Sequence, residues 1–326
     1  MAEITFVEAI TQALRRAMTD DERVVLLGQD IGTNGGVFRS TQGLLQEFGP
    51  ERVLDTPLAE SMIAGVAVGL AAEDFRPVAE IQFMGFVYPA VDQIVNHASR
   101  MRNRTRGRIT SPLVVRTPMG AGIGAPEHHS ESTEAMFTNI PGLRVVIPSS
   151  PQRAYGLLLA AIADPDPVIF LEPTRLYRAY KEDVPDNGEA LPLDECFVLR
   201  DGDDVTLVTW GAMVRETLAV ADGLAEDGIS AEVIDVGTLQ PLDADTIVSS
   251  VDRTGRLVVV HEAPLTGGFG AEIAARVSEQ ALMSLKAPIA RVAAPDVIVP
   301  LPRLESHYLP NAATIEEAVQ RTVSYA

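Results

Sequence analysis

Glu60 stands at the start of an apolar segment, where a carboxyl group can do proton chemistry. The following stretch, Met62–Ala72, has no polar face, and a helix that is apolar all round is normally a buried one. Thr56 or Asp55 could cap this helix, with Pro57 at its first position. We therefore expect Glu60 at the mouth of a buried helix, beside a specific partner. An acid that only complements the helix dipole is the alternative, and the sequence leaves both open.

A glycine-rich loop followed by two histidines forms the second candidate site. Gly120–Gly124 follows a predicted strand, but its glycines are out of register for the dinucleotide-binding fingerprint. The glycines therefore indicate a loop that closely approaches a ligand or another backbone. His128 and His129 come next, and adjacent side chains diverge too much to bind one metal ion. A histidine here is a candidate proton carrier near neutral pH, with an ordinary surface histidine as the alternative.

Two further features could carry chemistry. Asp164 and Asp166 alternate with prolines in a turn between a predicted helix and a predicted strand, where carboxylates and free carbonyls can bind a hard cation. Such acidic turns are also common without an ion. Cys196 is the only cysteine, so an intrachain disulfide is excluded. The adjacent Asp194 and Glu195 would raise the pKa of its thiol and disfavour a nucleophilic role.

Alternating strands and helices must position these residues. Several predicted strands are apolar nearly throughout, which is typical of parallel sheets covered by helices on both faces. The pattern predicts an α/β fold with two three-layer domains and mainly parallel sheets. The predicted strands are Val24–Gly28, Val78–Phe83, Leu113–Arg116, Arg144–Ile147, Val168–Leu171, Val205–Thr209, Glu232–Val236 and Arg256–His261. The predicted helices include Pro89–Arg102, Pro151–Ala163, Met213–Asp227 and Gly270–Leu285.

One stretch interrupts this alternation and predicts a domain boundary. Residues 180–195 are rich in proline, glycine and acids, a composition typical of a linker. A new sheet-building unit begins at Val205. We therefore predict a first domain over residues 1–190, ending in the linker, and a second domain over residues 191–326.

The composition excludes several classes of protein. A formal net charge of −19 argues against nucleic-acid binding, which needs a basic face. The longest strongly apolar stretch has eleven residues, whereas a membrane span needs about 20. The N-terminal segment has no signal-peptide pattern, so we expect a soluble, cytoplasmic protein. The acidity fits solubility, a basic protein partner, or a high-salt cytoplasm, since two lysines stand against 24 arginines.

Six short segments occur together and in order along the chain: Asp55–Glu60, Glu80–Phe83, His128–Ser132, Asp166–Pro173, Leu176–Arg178 and Gln240–Asp243. This combination resembles the E1β subunits of 2-oxo acid dehydrogenase complexes, and the similarity runs from about residue 4 to the C-terminus. The resemblance implies a transketolase-type pyrimidine-binding domain followed by a transketolase C-terminal-type domain. It also implies an α2β2 heterotetramer in which thiamine diphosphate binds between an α and a β subunit.

The resemblance assigns roles to individual residues. Glu60 matches the glutamate that hydrogen-bonds the aminopyrimidine ring of thiamine diphosphate and supports its imino form, which takes the proton from thiazolium C2. Leu58, Gln82 and Phe86 match residues that line the pyrimidine, Phe86 by stacking. His129 matches the active-site histidine of the β chain, which would balance protonation around the intermediate and during acyl transfer to lipoyl groups.

The resemblance also bears on metal ions. Asp164 and Asp166 match a potassium site that backbone oxygens near Leu113 and Ala161 would complete, although Asp166 replaces an asparagine of a relative. Complete thiamine enzymes hold Mg²⁺ and the diphosphate with a Gly-Asp-Gly segment, and the nearest string in this chain, Asp201–Asp204, is not that motif. An α subunit must therefore supply the Mg²⁺ and the diphosphate half of the site.

The implied activity is oxidative decarboxylation of a 2-oxo acid, followed by reductive acylation of the lipoyl-bearing E2 acyltransferase. Gln82–Tyr88 resembles bacterial pyruvate enzymes, whereas Glu172–Ala179 resembles branched-chain relatives. Pyruvate is favoured, with branched-chain 2-oxo acids such as 2-oxoisovalerate, or acetoin, as alternatives. A function of another class is also open, in which a non-catalytic subunit docks E1α to E2 through charge complementarity.

Overall fold

Two large β-sheets flanked by helices and one small two-stranded sheet form the chain, which a computed structural model describes over residues 3–325. The strands are β1 Glu3–Thr5, β2 Val24–Gln29, β3 Val53–Thr56, β4 Arg76–Glu80, β5 Val114–Met119, β6 Arg144–Val146, β7 Val168–Pro173, β8 Lys181–Asp183, β9 Phe197–Arg200, β10 Val205–Thr209, β11 Ala231–Asp235, β12 Thr238–Gln240, β13 Leu257–Pro264 and β14 Ala290–Ala294. The helices are α1 Phe6–Asp20, α2 Leu44–Phe48, α3 Glu60–Ala72, α4 Met101–Arg104, α5 Glu134–Thr138, α6 Pro151–Ala163, α7 Met213–Glu226, α8 Ala244–Thr254, α9 Gly270–Gln280, α10 Glu305–Tyr308 and α11 Ala312–Val323.

The first sheet has seven strands in the order β12-β6-β7-β5-β4-β2-β3, and all of them except β12 run parallel. Helices α1 and α6 cover one face, where Phe6 and Leu158 join a single apolar cluster with Val78 of the sheet. On the other face α3 contributes Ile63 and Ala67 to a second cluster. Helices on both faces explain why the strands are apolar nearly throughout, as the sequence predicted.

The second sheet has five strands in the order β14-β13-β10-β11-β9, and only β9 is antiparallel to its neighbour. Helices α7 and α11 pack on one face through residues such as Val220 and Ile315. On the other face, Ile247 of α8 and Ile273 of α9 belong to the same apolar cluster as Leu171 of the first sheet. The two sheets therefore share one core, and the predicted α/β class with mainly parallel sheets is confirmed.

Strand β12 connects the two halves of the chain. It follows β11 of the second sheet, yet it pairs antiparallel with β6 of the first sheet, with Thr238 opposite Val146. The sequence did not predict this strand, because three residues are too few to show a periodic pattern. The boundary at residue 190 stays a prediction, and β12 lies beyond it while completing the first sheet.

Helix α3 is less buried than the sequence predicted. Ile63 and Ala67 are buried against the sheet, whereas Met62 is 39% and Val66 is 42% exposed. The expectation of a helix buried on all sides is therefore wrong, because only one of its apolar faces is covered by this chain. None of the helices within residues 3–325 combines the length and apolar character that a membrane span requires.

The predicted helix Pro89–Arg102 forms, but its hydrogen bonding changes along its length. It starts as a 3₁₀ turn over Tyr88–Ala90 and becomes a π-helix over Gln93–His97. A second 3₁₀ turn follows before α4. Such π segments are rare and often lie close to functional sites.

Candidate active site

The predicted site residues gather at the carboxyl edge of the first sheet. Strands β3, β2, β4 and β5 are adjacent and parallel, so their carboxyl ends lie side by side. Ligands of open α/β sheets normally bind at this edge. The structure brings five predicted residues to it: Leu58 and Glu60 after β3, Gln82 and Phe86 after β4, and His129 after β5.

Glu60 is the first residue of α3, where a carboxylate also complements the helix dipole. It is partly exposed, and within residues 3–325 its carboxylate has no side-chain hydrogen bond or ion pair. The expected cap is absent, since Ala59 takes the capping position without a side-chain bond. Asp55 instead accepts hydrogen bonds from the backbone N–H groups of Gly32 at 2.6 Å and Thr33 at 3.0 Å. The carboxylate of Glu60 is therefore free to meet a ligand.

A hydrogen bond ties the start of α3 to the segment that carries Phe86. Ser61 Oγ, next to Glu60, donates to the carbonyl of Pro89. On the neighbouring strand ends, Gln82 Nε2 donates to the carbonyl of Gln29 at 3.3 Å. These bonds join the ends of β3, β4 and β2, so the side chains of Glu60, Gln82 and Phe86 rest on connected backbone.

His129 packs against two phenylalanines. Its ring centroid lies 4.1 Å from that of Phe83 and 5.2 Å from that of Phe86, in edge-to-face arrangements. The two phenylalanine rings also contact each other edge to face, at 5.7 Å. The Nδ1 atom of His129 is buried and has no hydrogen-bond partner among the described residues. An unpaired polar atom in such a place is costly unless a ligand or water satisfies it.

Gly85 makes this packing possible. A Cβ atom at Gly85 would lie 2.4 Å from the backbone oxygen and 2.9 Å from the Cα of His128. The short 3₁₀ turn Glu127–His129 therefore sits directly on the turn Met84–Phe86. His128 is exposed, while His129 faces the phenylalanines. The backbone thus gives the two adjacent histidines different surroundings.

Apolar side chains remain uncovered around this edge. Leu58 is 71% exposed, and Met62, Val66 and Tyr88 are also exposed. Exposed apolar side chains grouped near one edge of a sheet are characteristic of a surface that a partner covers. This chain therefore leaves these side chains uncovered.

A buried arginine lies behind the site, and sequence reasoning did not single it out. Arg116 of β5 donates to both carboxylate oxygens of Glu172 at 2.7 and 2.8 Å and also to Glu80. Ser40 Oγ donates to Glu80 at 3.0 Å, and Tyr177 Oη donates to Glu172 at 2.5 Å. Burial raises the pKa of Glu80 and outweighs the opposing effect of Arg116. The detectable signal was that each of the strands β4, β5 and β7 carries one of these charged residues among apolar ones.

This network supports the segment that leads to Gln82. Glu80 is the last residue of β4, two positions before Gln82. Removing one partner of a buried ion pair typically costs about 3–5 kcal/mol, because the remaining charge is left uncompensated. The network therefore fixes the end of β4. Its buried side chains are bonded to one another, so they are not among the residues that face a ligand.

The predicted cation-site residues lie together at the turn between α6 and β7, away from the edge just described. Asp164 pairs with Arg144 at 2.8 Å and Asp166 pairs with Arg102 at 2.7 Å. The carbonyl of Leu113 accepts the N–H of Val168 at 2.9 Å, and Ala161 lies in the last turn of α6. Arg76 donates to the carbonyls of Ile162 and Asp164. Arginines thus neutralise both acids.

The side chains offer no obvious metal centre. Among the described residues, no group of three or more histidine, cysteine, aspartate and glutamate side chains is placed to hold a metal ion. A potassium site built from backbone oxygens at the α6–β7 turn does not depend on such a group and stays a prediction.

Cys196 is poorly suited to act as a nucleophile, as the sequence predicted. Burial raises the pKa of its thiol well above the usual value, and Asp243 and Asp235 add to this effect. Its Sγ contacts the carbonyl of Asp243 at 3.6 Å. The acids responsible are therefore distant in sequence, whereas the prediction had named Asp194 and Glu195.

Comparison with family models and with a solved structure identifies the fold. Residues 2–179 match the family model of the transketolase pyrimidine-binding domain, and residues 194–315 match the transketolase C-terminal domain. A solved structure described as a split-gene transketolase, inactive β4 tetramer, aligns over 99% of both chains with a TM-score of 0.82 and 24% identity. The chain is therefore a two-domain protein of the transketolase type.

Curated relatives then define the family. The pyruvate dehydrogenase E1 component subunit beta of Bacillus subtilis is 49% identical over 325 residues, which cover 100% of both chains. The proteins of the same name from Staphylococcus epidermidis and Staphylococcus aureus are 48% and 47% identical over the same length. The chain belongs to the family of E1 β subunits of 2-oxo acid dehydrogenase complexes.

Proposed function

We propose that this chain supplies the aminopyrimidine half of a thiamine diphosphate site in an E1 enzyme that decarboxylates a 2-oxo acid and acylates lipoyl-E2. The observation that carries the proposal is the convergence of Leu58, Glu60, Gln82, Phe86 and His129 at one sheet edge that is open on its far side. Relatives matched over their full length are named pyruvate dehydrogenase E1 subunits, which supports the same reaction class for this chain.

The residues at this edge fit an aminopyrimidine ring. Glu60 has a carboxylate without a side-chain partner within residues 3–325, and His129 has a buried Nδ1 without one. Phe86 is partly buried and offers a flat apolar surface, while the exposed Leu58 can pack against the ring's edge. These unsatisfied polar atoms and apolar surfaces suit a flat heterocycle that has both hydrogen-bonding edges and a π face.

Glu60 has the chemistry that proton transfer at this ring requires. Thiamine diphosphate, when bound, would supply a carbon nucleophile for the 2-oxo carbonyl and a cationic thiazolium ring that takes up the electron pair left behind when CO₂ departs. The Glu60 carboxyl would hold a proton against a pyrimidine ring nitrogen and so shift the proton balance of the ring's amino group. The adjacent helix start and the exclusion of water by a covering partner would strengthen that hydrogen bond.

His129 is placed to serve the later part of the reaction. It stands on the loop after β5, and its ring is held by Phe83 and Phe86. Near neutral pH an imidazole can take up a proton and the resulting imidazolium can deliver one. We assign it proton transfer during passage of the acyl group to the lipoyl group, while His128 is exposed and has no role in this proposal.

An α subunit completes the proposed site. The chain lacks the Gly-Asp-Gly segment for Mg²⁺ and the diphosphate, and the exposed apolar side chains of Met62 and Val66 offer a surface for a partner. We infer an α2β2 heterotetramer in which the α subunit binds Mg²⁺ and covers this surface. Potassium at the α6–β7 turn would be structural, because this turn lies away from the sheet edge that carries Glu60. Backbone oxygens would be its main ligands, since Asp164 and Asp166 are paired with arginines.

Pyruvate is the favoured substrate, since the relatives reported above are named for it. Branched-chain 2-oxo acids and acetoin remain alternatives, because much of the acyl pocket would belong to the α subunit. A docking function toward E2 is the second candidate, through charge complementarity between this acidic chain and a basic partner, and exposed apolar side chains would suit it as well. Met283 is 96% exposed, and Ile298 and Leu301 are also exposed in the second half of the chain.

The test is CO₂ release by this chain mixed with its α partner, Mg²⁺ and thiamine diphosphate. Pyruvate and 3-methyl-2-oxobutanoate are compared, and each subunit alone is the control. We expect turnover only in the mixture, with pyruvate preferred. Equal turnover by this chain alone, or no turnover with any 2-oxo acid, would overturn the proposal.

A further inference from the structure

The segment Gly120–Glu131 forms a closed loop that carries His129. Its ends are joined by a hydrogen bond from the backbone N–H of Gly120 to the carbonyl of Glu131 at 3.0 Å. Inside the loop, the N–H of His129 donates to the carbonyl of Pro126 at 2.9 Å and holds the turn on which the histidine stands. Loops of this size with joined ends are compact Ω-type loops, which are frequently functional.

Two glutamates from the second half of the chain hold the first part of this loop. Glu262 Oε1 accepts the N–H of Ala121 at 2.5 Å. The two carboxylate oxygens of Glu305 accept the N–H groups of Gly122 at 2.7 Å and Gly124 at 3.0 Å. Three of the four N–H groups from Ala121 to Gly124 are thus satisfied by side chains that come more than 140 positions later. Hydrogen bonds to a carboxylate are among the stronger ones in proteins.

The close fit depends on glycine. Gly120 has φ +89°, and a Cβ atom there would lie 2.6 Å from Glu262 Oε1. A side chain at this position would push the loop off the glutamate. The glycine pattern that resembled a dinucleotide loop therefore lets the backbone approach a carboxylate of the same chain.

Glu305 is committed to the loop. It is 8% exposed, and within residues 3–325 it forms no ion pair. Glu262, in contrast, also lies 3.6 Å from Arg175. A buried carboxylate without a cation is costly unless hydrogen bonds replace its water. For Glu305 those bonds are the two loop N–H groups, so the conformation of the loop and the burial of this carboxylate depend on each other.

We propose that Glu305 is a positioning residue for His129. Glu305, from the second half of the chain, fixes the first part of the loop. Phe83 and Phe86, from the first half, hold the histidine ring in the last part of the loop. The inference rests on the proposed function, since the value of a fixed His129 lies in acyl transfer. It gives the second half of the chain a part in the chemistry of the first half.

The test uses the assembled α–β enzyme with Glu305→Ala, Glu305→Gln and the control Glu316→Ala, which alters an exposed glutamate on α11. Hydrogen–deuterium exchange reports the loop, and kcat and KM report acylation of a lipoyl domain. We expect faster exchange over residues 121–131 and a kcat lowered about tenfold in Glu305→Ala, with KM for the 2-oxo acid unchanged. Glu305→Gln keeps one acceptor and should recover part of both effects.

The two readouts separate failure of this inference from failure of the proposed function. An inactive wild-type assembly would overturn the proposed function, while exchange would still report whether Glu305 holds the loop. Unchanged loop exchange in Glu305→Ala, a rise in KM alone, or faster exchange with an unaltered kcat would each overturn the positioning role. If Glu305→Ala fails to assemble, Glu305→Gln decides, and wild-type loop exchange in that variant would overturn it.

Discussion

Glu60 follows β3 and Glu80 ends β4 of the same sheet, but the two carboxylates have opposite surroundings. Glu80 is buried and bonded to Arg116 and Ser40. Glu60 is partly exposed at the start of α3 and has no side-chain partner among the described residues. A buried, fully bonded carboxylate stabilises the fold, whereas an accessible, unpaired carboxylate at a helix start can meet a ligand. This contrast separates the supporting acid from the proposed catalytic one.

Replacement of Glu60 tests the catalytic assignment at the scale of one residue. In Glu60→Gln the shape is kept, but the side chain can no longer exchange a proton. We expect CO₂ release by the assembled enzyme to fall by about 10²–10⁴-fold, the usual contribution of a general acid–base group. Steady-state turnover and analytical ultracentrifugation measure activity and assembly in the same sample.

Glu73→Gln is the matched control, because Glu73 is exposed at the other end of the same helix. It removes an equal charge from α3 and should leave turnover close to wild type. Full activity of Glu60→Gln in an intact tetramer would instead favour the docking function over the catalytic one.

The residues of the site were predictable to different degrees. Glu60, Gln82 and His129 lie in short motifs whose order resembles one family, so they could be named from the sequence. Arg116 was not named, because its partners Glu80 and Glu172 lie 36 and 56 positions away and only the sheet brings them together. Partnerships of this kind depend on strand order, which local sequence does not encode.

At the scale of elements, the contact between two short turns sets the position of His129. Gly85→Ala would place a Cβ atom 2.4 Å from the backbone oxygen of His128. Backbone must then move, so we expect destabilisation of about 1–3 kcal/mol and loss of lipoyl acylation. Thermal unfolding and acylation rates check this expectation.

Gly69→Ala is the comparison, since a Cβ atom at Gly69, inside α3, has no neighbour within 4 Å. Alanine is favoured over glycine inside helices by roughly 0.5–1 kcal/mol. This variant should therefore melt at or above the wild-type temperature. Equal behaviour of the two variants would mean that the turn at Gly85 has room for a side chain.

Most of the long elements were predicted well, whereas most of the three-residue strands were not, with β6 as the exception. Strands such as Val205–Thr209 and the helix Pro151–Ala163 have the predicted limits, because their apolar patterns extend over several residues. Strands β1, β8 and β12 have three residues each, too few to show a period. The exposure of α3 was also missed, because an apolar face that awaits a partner has the same sequence as one that is buried.

At the scale of the molecule, buried titratable groups lie where the two sheets meet. Burial raises the pKa of Asp235, bonded to Ser149, to about 6, and that of Glu262, bonded to Ala121, to about 7. Burial lowers the pKa of His261 to about 4. The folded state therefore holds protons on the two acids more tightly than the unfolded state, and on the histidine less tightly.

These shifts give stability a defined dependence on pH. A raised acid pKa means that stability falls as pH rises from the unfolded to the folded value, whereas the lowered pKa of His261 makes stability rise between about 4 and 6.5. Above pH 6.5 the contribution of His261 fades as the unfolded histidine loses its remaining proton, and Glu262 dominates. We expect the melting temperature to fall between pH 6.5 and 7.5.

Glu262→Gln should abolish this fall, because the amide still accepts from Ala121 but does not ionise. The exposed Glu272→Gln on α9 is the control and should keep the wild-type slope. Differential scanning calorimetry across this pH range measures the effect. A melting temperature that rises from pH 6.5 to 7.5 in the wild type would contradict the assignment.

Strand β12 comes from the second half of the chain but pairs in the first sheet, and this has a consequence while the chain is being synthesised on the ribosome. When the first 190 residues have emerged, β6 still has an unpaired edge, because its partner Thr238–Gln240 has not been synthesised. Unpaired strand edges readily pair with other chains, and translation leaves this one open for seconds. A nascent chain at this stage is therefore a natural client for chaperones. A fragment that ends at the linker would never contain β12, so this edge of β6 would stay unpaired.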